Sequence, residues 1–164
     1  MRAFWLAAVL LLMSACSLDD LGSGWTRAAD AWQLGPARFE VSRHGTSRCV
    51  DADRPEAVMG IGVVRGVQNV DAVLRSLSGA LVSRLSGPDA RTAGGIPSDV
   101  GSGRGASVIV VEAPCIPADL SPSREMVLDL RGYAVPDGVQ VVFLAGTLSA
   151  AERERILSSV RVTR

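Results

Sequence analysis

Residues 69–87, NVDAVLRSLSGALVSRLSG, decide the fold. Val70, Val73, Leu74, Leu77, Leu81 and Leu85 recur at spacings of three and four, which gathers them on one face of an α-helix. Asn69 is placed to cap the first free N–H groups, and Gly87-Pro88 ends the run. An amphipathic helix of this length needs an apolar surface to cover, so the flanking segments should supply a sheet.

They have the patterns of strands. Upstream, ARFEVSR (37–43) alternates Phe39 and Val41 with Arg38, Glu40 and Ser42, as a half-buried strand does, and AVMGIGVV (57–64) is a short buried run. Downstream, ASVIVVE (106–112) is a strand, and REMVLDLRGY sets Met126, Leu128 and Leu130 against Val127, Asp129 and Arg131. VPDG, with Pro136 and Gly138, turns the chain into VQVVFLAG, predicting a hairpin. SAAERERILSSV then opens with the capping-box pair Ser149 and Glu152 and places Ile156, Leu157 and Val160 on one side. The expected fold is α+β: one antiparallel sheet with two amphipathic helices packed on it. HGTSRCVDADRPE (44–56) and GGIPSDVGSGRG (94–105) are expected as connections, and APCIPADLSPS breaks the chain with three prolines. Trp25 and Trp32, seven apart, would share a face if their stretch were helical, there to cover one end of the core or touch a lipid interface.

The N-terminus is an address. Arg2 is followed by the uncharged stretch Ala3 to Met13, long enough for a signal-peptide core and too short to span a bilayer, which takes about 20 residues. Met13-Ser14-Ala15-Cys16 resembles the lipobox of bacterial lipoproteins, with Met13 where that family prefers Leu. The resemblance implies cleavage before Cys16, acylation of its thiol, and a membrane-anchored protein on the periplasmic or extracellular side of the cell envelope. Residues 1–15 are then signal peptide, 16–24 a lipidated tether and 25–164 a single domain. At least two acyl chains are what stable attachment requires. An ordinary secretory signal with an incidental cysteine is the competing reading.

With Cys16 carrying lipid, Cys49 and Cys115 remain, an even pair in an oxidising compartment, and a disulfide between them is expected. Two reduced thiols or a metal site are the alternatives.

The element order also resembles that of the PsbP/DcrB-like family, which includes envelope lipoproteins: an early strand, an amphipathic helix, a meander, then a last strand entering a C-terminal helix. The likeness spans residues 38 to 163. It implies a role as a binding or assembly partner and brings no catalytic residues with it.

Composition narrows the chemistry further. The 164 residues hold 17 basic and 17 acidic side chains, so no basic footprint points to nucleic acid. Every basic residue is Arg, which excludes lysine Schiff-base and lysine general-base mechanisms. The lone histidine, His44, lies near Cys49, Asp51, Asp53 and Glu56, but their spacing matches neither a zinc pattern nor a calcium loop. Gly60, Gly62 and Gly66 miss the dinucleotide fingerprint by one place, and Gly60 and Gly62 fall within the expected strand instead of following one. GSGRG (101–105) could cradle an anion with Arg104, although no helix start follows it. Arg43, Arg48, Arg54 and Arg104 could meet an acidic partner, or simply be scattered over a solvated surface. No cofactor, metal or catalytic residue is assigned. The expected function is non-enzymatic binding or assembly in the envelope, with a protein partner. The rivals are a small hydrolase whose site is invisible in sequence and a hydrophobic-ligand carrier, which needs an apolar cavity between sheet and helices.

Overall fold

The computed structural model describes residues 23–45, 47–48, 53–54, 56–86, 90–112 and 124–160. Cys16, Cys49, Asp51 and Cys115 lie outside the described residues, as do residues 1–15, expected as signal peptide, and most of 16–24, expected as tether.

In chain order come β1 (Trp25–Arg27), β2 (Trp32–Leu34), β3 (Ala37–His44), the short β4 (Ser47–Arg48) and β5 (Asp53–Arg54), and β6 (Ala57–Arg65). Helix α1 (Val70–Ser86) follows, then β7 (Arg91–Gly94), β8 (Ser98–Val100), β9 (Gly103–Glu112), β10 (Arg124–Val135), β11 (Gly138–Gly146) and α2 (Ala150–Ser159). The main sheet runs β1-β3-β6-β11-β10-β9-β7, with β2 also on β3 and β8 also on β9; β4 and β5 pair separately. Every pairing is antiparallel. The α+β fold expected from the sequence is therefore present, dominated by its sheet.

The two helices cover opposite faces. Successive strand residues point to opposite sides, so β11 sends Val141 and Phe143 toward α1 while Val142 and Leu144 meet Ile156 and Leu157 of α2. All nine residues of β11 are buried for this reason. The expected stripe of α1 is in place, with Val73, Leu74, Leu77 and Leu81 in the larger cluster. Asn69 caps it through its side-chain oxygen, which accepts from the Ala72 N–H at 3.0 Å. The Ser149–Glu152 capping box of α2 is formed in both directions, and the hydrogen bonds from Ser149 hold Glu152 below the usual carboxylate range.

Aromatic packing fixes the centre of the α1 face. Phe143 meets Phe39 edge-on at 5.4 Å and stacks with Trp32 at 5.8 Å. Gly60 and Gly62 of β6 make room: a Cβ on Gly60 would strike the Phe143 ring, and one on Gly62 would come 2.9 Å from the Phe39 ring. The strand register sets Gly60 directly opposite Phe143 and Gly62 opposite Phe39.

Two segments differ from expectation. Trp25 and Trp32 do not share a helical face; each begins a three-residue strand that borrows its hydrogen bonds from β3. Trp32 packs against the larger core cluster and Trp25 against the smaller one. The glycine-rich connection at 94–105 holds β8 and the start of β9, because Arg104 and Gly105 extend β9 along β10 and β8 adds to the other edge of β9.

Candidate functional site

Among the described residues, two grooves beside the sheet differ in character. The first lies on the α2 side, about 510 Å³ in volume, between α2 and the β7–β8 connection. Its charged side chains satisfy one another. Arg153 donates to Asp129 at 2.7 Å, Ser107 donates to the other Asp129 oxygen, and Arg131 pairs with Glu154. Glu154 is held below the usual carboxylate range, chiefly by the Ser158 hydroxyl and then by Arg131. Asp129 and Arg153 are mostly buried, where breaking a charge pair costs far more than it does in water. This arrangement pins α2 to β10 and commits every ionised group in the groove to a structural partner.

The second groove is different in kind. It is an open trough of about 330 Å³ lined by Leu34, Gly35, Pro36, Ala37, Val64, Val67, Ala72, Val73, Ser76, Leu77 and Ala80. None of these residues is ionisable, and only Ser76 has a polar side chain. The trough exists because α1 packs over β9 and β10 rather than over β3. That offset leaves the β2–β3 turn to form the facing wall. Gly35 allows this turn with a left-handed φ of 57°. Ala72, Ser76 and Ala80 stand one helical turn apart and are short enough to keep the wall recessed. Beyond the last lining residues, the Arg84 guanidinium sits 5.3 Å from the centroid of the Trp32 ring.

Salt bridges hold α1 in this offset position. Arg104 reaches Asp71 at the start of α1 with bonds of 2.7 and 3.0 Å, and also pairs with Asp99. Its hydrogen bonds keep Asp71 below the usual carboxylate range, while Asp71 and Asp99 raise the already high pKa of Arg104. Arg104 thus ties the helix to the β8–β9 edge and is not available to cradle an anion.

The other sequence candidates disperse. His44 ends β3, its ring tilted against Trp25 at 5.2 Å, and its Nδ1 is buried without a hydrogen-bond partner among the described residues. Cys49 and Asp51 lie outside the described residues, as do the side chains of Arg48, Asp53 and Arg54. Among the described residues, no group of three or more His, Cys, Asp or Glu is placed to hold a metal ion. Gly60 and Gly62 serve ring packing inside β6. Arg43 is exposed near the end of β3 and lines neither groove. The trough residues were not singled out from the sequence. The small residues Ala72, Ser76 and Ala80 beside a leucine stripe are the signal that could have shown them.

Among the described residues, no helix is long and apolar enough to cross a membrane. The chain matches no family model, no curated protein and no solved structure.

Proposed function

We propose that the chain is a lipid-anchored envelope protein whose domain binds an apolar group in the trough between α1 and the β2–β3 turn. The observation that carries this reading is the trough's lining, which lacks any ionisable side chain and includes the exposed apolar Val67. Its volume falls at the low end of the range for small-molecule sites, roughly 300 to 1,000 Å³. The lining supplies no nucleophile–base pair, and the charged groups of the other groove are tied to each other. Binding therefore accounts for the geometry better than catalysis does. The resemblance to lipobox signals supports the anchor, and that to the PsbP/DcrB-like family supports a binding role.

The test uses dodecanol with a photoreactive diazirine on its chain, applied to membranes holding the full chain. Adducts should concentrate in residues 34–37 and 64–80, compete with unmodified dodecanol, and fall at least about fivefold in Ala80→Trp, whose indole fills the wall. Adducts scattered over the domain, or unchanged in Ala80→Trp, would refute the site.

The proposed Cys49–Cys115 disulfide is supported by where the described strands end. His44, Ala57, Gly146, Val127 and Ile109 form one row across five strands, so β3 and β9 finish at the same end of the sheet. Their separation is about 19 Å at ordinary strand spacing. Five residues beyond His44 and three beyond Glu112 reach about 17 and 10 Å, enough to meet. Closing so long a loop should stabilise the fold by roughly 4 kcal/mol. Unfolded, unreduced protein should leave both thiols unalkylated; full alkylation without reductant would exclude the bond.

A further inference from the structure

Building on the trough as a binding site, we infer that its ligand is a single-chain amphiphile with an anionic head, such as a free fatty acid. Ala72, Ser76 and Ala80 line a straight wall about 12 Å long. The same one-turn spacing continues to Arg84. On the facing wall Trp32 precedes Leu34 by two residues, on the same side of β2. Neither Arg84 nor Trp32 lines the trough itself; both lie beyond it on the Ala80 and Leu34 side, with the guanidinium 5.3 Å from the indole centroid. Arg84 has no acidic partner among the described residues; its described contact is the ring. An alkyl chain laid along the helix wall would bring its head group to this cation, which binds carboxylate oxygens in its planar fork. The lining itself, Val67 and Pro36 included, carries no charge, so Arg84 is the cation that would orient the ligand.

The position of the anchor favours a free amphiphile over a bilayer lipid. The chain joins the sheet at Trp25, which pairs with His44, whereas the trough begins at Ala37. These are opposite ends of β3, separated by about 23 Å of extended strand. A tether leading to lipid on Cys16 leaves the domain at the far end from the trough. A ligand that reaches the trough from the side away from the tether would come through water as a monomer, which suits one chain and a charged head.

The photoreactive dodecanol assay gives the test, with dodecanoate and dodecanol as competitors against wild type, Arg84→Gln and Arg84→Lys full-length chains. Comparing the ratio of the two competitors between variants cancels their different uptake by the membrane. The preference for dodecanoate should be about fivefold larger in wild type than in Arg84→Gln, the upper end for an exposed ion pair, and Arg84→Lys should restore most of it. An equal ratio in wild type and Arg84→Gln, with labelling still in the trough, overturns the anionic ligand and leaves the apolar site standing. Absence of competed labelling in the trough overturns both.

Discussion

Phe143→Ala is expected to destabilise the protein by about 4 kcal/mol, read as a shift in the urea midpoint. The ring is fully buried on the central strand, between Phe39 and Trp32, above the backbone of Gly60. Removing it leaves a void that rigid neighbours fill poorly. Trp32 is stacked on it, so the same change should loosen the Arg84 end of the trough and weaken dodecanol labelling. Phe143→Leu, which keeps most of the volume, should cost under about 1.5 kcal/mol. A loss below about 1 kcal/mol for the alanine variant would mean that the aromatic cluster does not organise this face.

Cys16→Ser should move the protein from the membrane fraction to the soluble fraction almost completely. Two or more acyl chains hold a protein to a bilayer stably, and one short tether without them does not. The described domain adds no helix able to span the membrane. If Cys16→Ser stays in membranes and is released only by detergent, attachment comes from another part of the chain and the lipoprotein reading fails.

The parts of the fold that were legible in the sequence are those whose signal is local. The spacing of Val73, Leu74, Leu77 and Leu81 and the alternation through Met126, Leu128 and Leu130 each repeat often enough to identify an element alone. The same holds for the Ser149–Glu152 box. The edge strands were not legible, because three residues cannot show a period. Trp25–Arg27 and Ser98–Val100 are strands only because β3 and β9 offer them hydrogen bonds. Both helices were expected on the sheet, but nothing local told which face each would take. Their faces follow from the long-range register.

The trough was illegible for a related reason. Its walls come from residues 34–37, 64–67 and 72–80, and only the last carries a local signal, the small residues Ala72, Ser76 and Ala80. Arg84 read as one arginine among many until its indole partner was placed beside it. Arg104, by contrast, drew attention as a possible anion ligand within a glycine-rich stretch. The fold gives it Asp71 and Asp99 instead, so its charge serves to set the helix. The roles that the sequence suggests for Cys16, Cys49 and Cys115 fall outside the described residues and rest on the experiments proposed for them.

Native mass spectrometry of the protein liberated from membranes tests the central claim most directly. The expected species is a covalent chain starting at Cys16, heavier by a diacyl or triacyl glyceryl group. It should be lighter by two hydrogens for the Cys49–Cys115 bond and accompanied by a dissociable ligand with the mass of a single-chain acid. A chain without added lipid and without any dissociable apolar ligand would contradict it.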